Sequence, residues 1–151
     1  MKPPSAVLLD CQGVEYRLIR LRERAITVQD VIEQAEGDLS PAEICKTIIV
    51  KDRKGARSAI FLRGGDRISF SKLKLILGKV SAASRDEVLE EAGVEPGAVC
   101  PLTLKTPVYL DERVLRLKRI NFGSGDHLYG IEMRTADLAR ALSFNVLDLA
   151  E

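Results

Sequence analysis

The sequence has few of the residues from which metal and disulfide sites are built. Its 151 residues include one histidine, no tryptophan and three widely spaced cysteines, Cys11, Cys45 and Cys100. There is no Cys-x-x-Cys pair and no Cys/His cluster, which argues strongly against a structural zinc site. An odd number of cysteines argues against a disulfide framework, although one pair could still bridge. We therefore expect a protein without metal or cofactor.

Long apolar runs are also absent. No run approaches the roughly 20 residues of a membrane span, and the apolar stretch near the amino end is too short for a secretion signal. The composition, 46% hydrophobic and 30% charged, is typical of a globular protein. These features predict a cytoplasmic protein that has no membrane partner and folds as a single domain over residues 1–151.

The chain has no large excess of either charge, because it contains 23 basic and 22 acidic residues. The charges are nevertheless segregated along the chain. Residues 46–67 contain seven basic and two acidic residues, whereas residues 30–43 contain five acidic residues and no basic one. Such a distribution can create a positive face that attracts a polyanion. Solvated faces whose charges compensate one another are an equally good interpretation.

Helix and strand signals alternate irregularly. A capping box, Ser84-Arg-Asp-Glu87, predicts a helix that ends at Gly93, and Thr27 predicts the start of another. Apolar runs on both sides of residues 53–55 predict a hairpin. Alternating leucine and basic residues predict a strand over residues 114–120. Without a regular βαβ repeat, these elements indicate an α+β fold, a mixed sheet surrounded by helices.

Candidate catalytic residues are few. The chain has no Gly-x-Ser-x-Gly elbow and no P-loop. Cys100 and His127 could form a thiol nucleophile and its base, but a free cysteine is commonly a small buried apolar residue. Lys46 opens an apolar strand, so its side chain either extends to solvent or presents a fixed ammonium to a phosphate or carbonyl oxygen. The strand pattern alone favours extension to solvent.

Five segments occur in an order that resembles one known family. They are EICKTIIVKD (43–52), AIFLRGGDRI (59–68), GAVCPLTL (97–104), PVYLDERVL (107–115) and GSGDHLYGIEMRTADLARAL (123–142). Together they resemble the YbaK-like aminoacyl-tRNA deacylases, whose fold is shared with the editing domain inserted in bacterial prolyl-tRNA synthetases. The resemblance implies a mixed, partly barrel-like β-sheet surrounded by helices.

The resemblance also implies a trans-editing reaction, hydrolysis of the ester of cysteinyl or alanyl tRNA specific for proline. Lys46 is then the essential lysine, and the loop from Gly97 to Pro101 directs backbone N–H groups at the ester carbonyl. Position and charge stabilisation would supply the catalysis. The attacking group would be a water, or the substrate's own thiol if that amino acid is cysteine. The alternative is a non-catalytic module that binds tRNA or a synthetase.

Further contacts follow from the same resemblance. The implied substrate-binding residues are Thr47, Ala98, Val99, Cys100, Gly123, Ser124, Gly125, His127 and Tyr16. Thr47 replaces the asparagine of alanyl-editing relatives, which favours cysteinyl or broader specificity. Phosphates of the acceptor stem would contact basic residues, which position the RNA without specifying it. These are Arg17, Arg20, Lys51, Arg53, Lys54 and Arg57. The expected partners are the 3′ end of mischarged tRNA and, as a further candidate, prolyl-tRNA synthetase; monomer and homodimer both stay open.

Overall fold

The computed structural model describes residues 2–151. Its α-helices are α1 (Pro4–Cys11), α2 (Val28–Gln34), α3 (Phe70–Leu77), α4 (Arg85–Ala92) and α5 (Leu138–Ala141). Its strands are β1 (Tyr16–Arg20), β2 (Cys45–Asp52), β3 (Arg57–Arg63), β4 (Val80–Ala82), β5 (Val108–Asp111), β6 (Arg119–Gly123), β7 (Tyr129–Arg134) and β8 (Asn145–Leu147). Short 3-10 helices cover Pro41–Glu43, Pro101–Thr103, Glu112–Arg116 and Thr135–Asp137.

The strands form two sheets. One is antiparallel, in the order β1-β7-β6; the other is mixed, in the order β4-β2-β3-β5-β8. In the mixed sheet, β2 runs antiparallel to β3 and β4, whereas β5 is parallel to β3 and β8. A parallel bridge between Ile44 and Asn121 joins the sheets. The predicted α+β architecture is confirmed, and within residues 2–151 the two sheets do not close into a barrel.

Local cap chemistry positions the helices as the sequence predicts. The Thr27 hydroxyl accepts a hydrogen bond from the N–H of Asp30, and the Ser84 hydroxyl accepts one from Glu87. Both form complete capping boxes, which satisfy backbone donors that a helix start leaves free. Gly93 ends α4 with φ +73°, a left-handed conformation that favours glycine.

The strand predicted over residues 114–120 is wrong at its start. Residues Glu112–Arg116 form a 3-10 helix, and the strand begins only at Arg119. The Asp111 carboxylate accepts the N–H of Arg113, which starts a turn in place of an extended chain. Leu115 is therefore 49% exposed. The three-residue strands β4 and β8 were not predicted.

Two hydrophobic clusters stabilise the sheets. The main core includes Phe61 and Phe122, whose rings meet edge to face with centroids 5.7 Å apart, a favourable aromatic geometry. A second cluster packs Leu73 of α3 against Val50 and Leu62. Within residues 2–151, no helix has the length and the apolar character to cross a bilayer. The main core covers one face of the three-stranded sheet, so the other face can line a cavity.

Candidate functional site

A cavity of about 460 Å³ lies beside the first residues of β2. Its other walls are the loop 96–99, the segment 25–31 and one face of the three-stranded sheet. Seven of the predicted site residues line it, namely Lys46, Thr47, Gly97, Ala98, Val99, Gly123 and His127. The volume falls in the range of small-molecule sites. We call this space the active cavity.

Glycines allow the backbone to pack tightly around the active cavity. Gly97 has φ +96°, and a Cβ at this position would lie 2.6 Å from the Cα of Ile26. A Cβ on Gly123 would lie 2.8 Å from the carbonyl oxygen of Val99. The loop 97–99 is therefore held between the segment around Ile26 and strand β6. The absence of a side chain at Gly97 permits this contact between two backbones.

Two backbone donors of this loop have no partner within residues 2–151. The N–H of Ala98 donates to the carbonyl of Glu95 at 3.2 Å, and the Ala98 carbonyl accepts the N–H of Gly125 at 2.7 Å. The N–H groups of Gly97 and Val99 make no such bond. They are the loop's available hydrogen-bond donors.

An ion-pair cluster fixes the start of the loop. The Glu95 side chain is buried and pairs with Arg24 and Arg85. Arg24 directly precedes the segment that packs on Gly97, and its guanidinium lies 3.4 Å from Nε2 of His127. Glu95 and Arg24 were missed by sequence reasoning, because each looks like a surface charge in the sequence. Only the fold brings them together.

Lys46 is partly buried and its ammonium is held in place. Nζ donates hydrogen bonds to the carbonyl oxygens of Gly64 at 3.2 Å and Asp66 at 2.6 Å. The Asp66 carboxylate in turn pairs with Arg63 at 2.7 Å. Burial lowers the pKa of Lys46, while the charge of Asp66 opposes this and that of Arg67 adds to it. Lys46 lines the active cavity, and its ammonium is held by backbone carbonyls instead of extending freely into solvent.

Three buried polar atoms of residues that line the active cavity have no hydrogen-bond partner within residues 2–151: Thr47 Oγ1, Asn121 Nδ2 and His127 Nδ1. Asn121 was missed, although its position between two core residues could have signalled a polar side chain turned toward the opposite face. Burial lowers the pKa of His127, and the neighbouring Arg24 charge lowers it further. Both effects favour the neutral form of the ring.

Two residues of the predicted loop are buried away from the active cavity, and one of them, Cys100, belongs to the main core. Cys100 is 2% exposed, and burial raises the pKa of its thiol to about 11. A thiol of this kind is not ionised at neutral pH, so Cys100 lacks the reactive thiolate that a nucleophile needs. Pro101 is buried and opens the 3-10 helix Pro101–Thr103. Neither residue lines the active cavity.

The other predicted residues outside the active cavity have structural partners. The Ser124 hydroxyl donates to the Tyr129 carbonyl at 2.6 Å, and the Ser124 carbonyl accepts from Ser5 at 2.6 Å. Gly125 turns the chain with φ +88°. The Tyr16 hydroxyl donates to Asp10 at 2.9 Å. None of these three residues lines the active cavity.

The residues 2–151 contain no group of three or more His, Cys, Asp or Glu side chains placed to bind a metal ion. The three cysteines are free; Cys11 is exposed, whereas Cys45 and Cys100 are buried. Burial raises the pKa of Cys45 to about 12.

Four of the six predicted phosphate-binding residues are engaged with acids. The pairs are Arg17 with Glu132 (2.7 Å), Arg20 with Glu36 (3.9 Å), Lys51 with Glu87 (2.7 Å) and Arg57 with Glu90 (2.9 Å). Phosphate would have to compete with these carboxylates. The sequence charge count did not show this pairing, because the partners come from separate elements.

Arg53 and Lys54 are exposed and have no ion pair within residues 2–151. With Lys74 and Lys79 they line an open groove of about 720 Å³, which we call the basic groove. It lies at the far end of β2, about 20 Å from Lys46 at roughly 3.3 Å per residue. The aromatic ring of Phe70, 45% exposed, lies in the same groove.

Residues 22–141 match the family described as the aminoacyl-tRNA editing domain. The chain belongs to this family. The editing domain is 35% identical over 98 residues to a proline–tRNA ligase of Thermodesulfovibrio yellowstonii, covering 62% of this chain and 17% of the ligase. It is 29% identical over 129 residues to the proline–tRNA ligase of Shouchella clausii, covering 83% and 22%. The chain thus spans about a fifth of the length of these relatives.

Solved structures share the fold over the whole chain. The hypothetical protein APE2540 superposes with a TM-score of 0.84 at 27% identity, covering 97% of this chain and 98% of that one. A protein proposed to be a trans-editing enzyme for prolyl-tRNA synthetase superposes with a TM-score of 0.79 at 22% identity, covering 100% and 99%. The resemblance to prolyl-tRNA editing domains seen in the sequence is confirmed.

Proposed function

We propose that this editing domain is a trans-acting deacylase that hydrolyses the ester of cysteinyl or alanyl tRNA specific for proline. The observation that supports this most is that Lys46 and the backbone of residues 97–99 line one cavity in a chain of the editing-domain family. The substrate is mischarged tRNA, which enters by its 3′ end. Because charged tRNA is used where ribosomes work, we expect the reaction in the cytoplasm.

The chemistry requires little from side chains, because an aminoacyl ester is already activated. A water adds to the ester carbonyl carbon, the bond from that carbon to the ribose oxygen breaks, and free amino acid and a 3′-hydroxyl result. The N–H groups of Gly97 and Val99 are available to hold the developing oxyanion, a contribution of about 3 kcal/mol per donor. If the substrate is cysteinyl, its own thiol can attack the ester carbonyl in place of water. The bond to the ribose oxygen then breaks to give a cyclic thiolactone and a 3′-hydroxyl, and water afterwards opens the thiolactone to free cysteine.

Lys46 supplies the positive charge. Its ammonium is anchored by Gly64 and Asp66, so it keeps one orientation and can bind the terminal adenosine phosphate or polarise the ester. A pre-oriented charge costs little reorganisation during the reaction. The neutral His127 contacts the substrate as a hydrogen-bonding group, not as a charge.

Such an enzyme is needed because a binding pocket alone discriminates poorly between similar amino acids. A synthetase pocket shaped for proline rejects a smaller apolar amino acid by only about 1–3 kcal/mol. A second, smaller site can remove the products of that error. The active cavity is lined largely by apolar residues, such as Ile26, Val28 and Val31, which suits a small amino acid.

Contacts to the RNA stem are assigned to the basic groove. Its cations are unpaired within residues 2–151 and can neutralise phosphates without first releasing a carboxylate. Arg53 and Lys54 keep their predicted role, joined here by Lys74 and Lys79. Arg17, Arg20, Lys51 and Arg57 contribute only if phosphate displaces their acidic partners.

The proposal is tested by incubating the protein with alanyl, cysteinyl and prolyl forms of tRNA specific for proline. We expect alanine or cysteine to be released faster than in buffer, and prolyl-tRNA to be spared. If all three esters decay at the uncatalysed rate while the tRNA still binds, the chain is a non-catalytic module of the same fold.

A further inference from the structure

The side chain of Asn121 is buried without the partner that a buried amide needs. The residue is 2% exposed and lines the active cavity, and its Nδ2 atom makes no hydrogen bond. Leaving a buried polar group unpaired destabilises a protein, and native structures contain few such groups. Stability therefore does not explain why the amide of Asn121 is buried without a partner.

Strand alternation turns Asn121 away from the main core. Its neighbours Ile120 and Phe122 belong to that core, so the asparagine projects from the opposite face of the sheet. On that face, Gly123 pairs with Gly130 in the next row, and both line the active cavity. A Cβ on Gly130 would lie 3.4 Å from Oδ1 of Asn121. A side chain at position 130 would therefore contact the amide.

The nearest acid in register does not satisfy the amide. Glu132 lies directly opposite Asn121 on β7, but its carboxylate accepts two hydrogen bonds from Arg17, at 2.7 and 3.3 Å. No protein group within residues 2–151 bonds Nδ2.

Asn121 lies close to the lysine of the proposed mechanism. It forms the inter-sheet bridge with Ile44, and Lys46 follows two residues later, about 7 Å along the chain. An amide and an ammonium so placed can contact the same part of one ligand.

We propose that Asn121 binds the ester and ribose portion of the aminoacyl-adenosine, the part that all substrates of this cavity share. The inference rests on the proposed function and extends it to a residue of the site. Because the amide contacts the common portion, its loss affects each amino acid equally. The unpaired amide destabilises the free protein, and the ligand removes this destabilisation by supplying the missing hydrogen-bond partner.

The test replaces the amide by an apolar group of similar shape, Asn121→Leu. We expect kcat/KM to fall about tenfold to a hundredfold, the range for losing a hydrogen bond to a buried group, and to fall equally for alanyl and cysteinyl tRNA. The Tm is expected to stay the same or rise, because replacing an unpaired buried polar group is neutral or stabilising. Asn145→Leu, at an exposed position on β8, is the matched control and keeps the wild-type kcat/KM.

Binding of 3′-alanylamido-3′-deoxyadenosine, which cannot be hydrolysed, supplies a second readout that needs no activity. Asn121→Leu is expected to weaken this binding about tenfold or more. An unchanged dissociation constant, a loss confined to one amino acid, or a lowered Tm with proportionate loss of activity overturns the assignment. A wild-type protein that releases no amino acid contradicts the proposed deacylase alone, because the binding comparison still decides the role of Asn121.

Discussion

The positively charged side chains at the two ends of β2 lie in opposite environments. At its first residues, the Lys46 ammonium is partly buried and fixed by the carbonyls of Gly64 and Asp66. At its far end, Arg53 and Lys54 are exposed and carry no ion pair within residues 2–151. Their neighbours in the basic groove include an aromatic ring and two more free lysines.

The glycines near the two ends of β2 differ in how closely other atoms surround them. Gly97 in the active-cavity loop and Gly55 in the hairpin turn both have positive φ, +96° and +88°. A Cβ on Gly97 would overlap the backbone of Ile26, whereas a Cβ on Gly55 would meet nothing within 4 Å. The comparison teaches that the proposed catalysis needs fixed positions at one end, whereas the proposed binding of RNA needs only charge at the other.

The largest effect is expected from removing the fixed ammonium. Lys46→Ala should lower the deacylation rate by about a hundredfold or more, the size typical of losing one electrostatic contact in a transition state. Lys54→Ala, which removes a free lysine at the far end of β2, should change the rate at saturating tRNA by less than about twofold. Single-turnover release of amino acid measures both. Equal rates in wild type and Lys46→Ala would remove the lysine from the mechanism.

The next effect comes from the two glycines. Gly97→Ala should lower the free energy of unfolding by about 3 kcal/mol, because backbone strain and overlap with Ile26 add together. Gly55→Ala should cost about 1 kcal/mol, from the strained φ alone. Urea unfolding gives both values. If the two variants are equally stable, the loop 97–99 does not depend on the close contact described for it.

A smaller effect is expected from the charge of the basic groove. The double variant Lys74→Glu/Lys79→Glu should bind tRNA about tenfold more weakly, and the salt dependence of binding should become shallower by about one to two phosphate contacts. The exposed lysines Lys105 and Lys118, which lie outside this groove, provide the control Lys105→Glu/Lys118→Glu. Binding measured from low to moderate salt decides between them. Identical salt slopes for both double variants would contradict the assignment.

The smallest effect concerns an acid that compensates the basic hairpin. The hydrogen bond from Lys51 lowers the pKa of Glu87 to about 2, with help from the Ser84 N–H. A carboxyl with a depressed folded pKa stabilises the fold above its unfolded value, near 4.5, and loses this contribution as the pH falls through about 2. Glu87→Gln should therefore lower the Tm by a few degrees at pH 7.

The pH dependence distinguishes this effect from a simple packing loss. The Tm difference between Glu87→Gln and wild type should narrow as the pH falls from about 4.5 to about 2, because the wild-type carboxyl is then protonated. Glu23→Gln, at an exposed position, should show no such narrowing. A Tm difference that stays constant with pH would show that charge does not carry the stabilisation.

Sequence patterns predicted the local parts of the fold well. The caps at Thr27 and Ser84 and the stop at Gly93 were predictable because each depends on a few consecutive residues. The strand expected from residue 114 failed because a brief alternation of leucine with basic residues does not exclude a 3-10 turn. The side chain of Asp111 decided the outcome there.

The active cavity was predictable only where a resemblance supplied it. Lys46 and Gly97 came from segments shared with editing domains, whereas Asn121 and the pair of Glu95 with Arg24 depend on contacts between distant elements. The sequence left Cys100 between a nucleophile and a small buried apolar residue, and its burial in the structure favours the second interpretation. That the chain forms a single domain over residues 1–151 stays a prediction.

The most direct test of the account is an NMR titration that observes both ends of β2 at once. With 3′-alanylamido-3′-deoxyadenosine, the amide signals of Lys46, Gly97 and Val99 should shift while that of Lys54 stays unchanged. With tRNA, the signals at both ends should shift. If the adenosine analogue leaves the active-cavity amides unmoved, or shifts only the hairpin turn, the cavity does not bind the aminoacyl end and the account is contradicted.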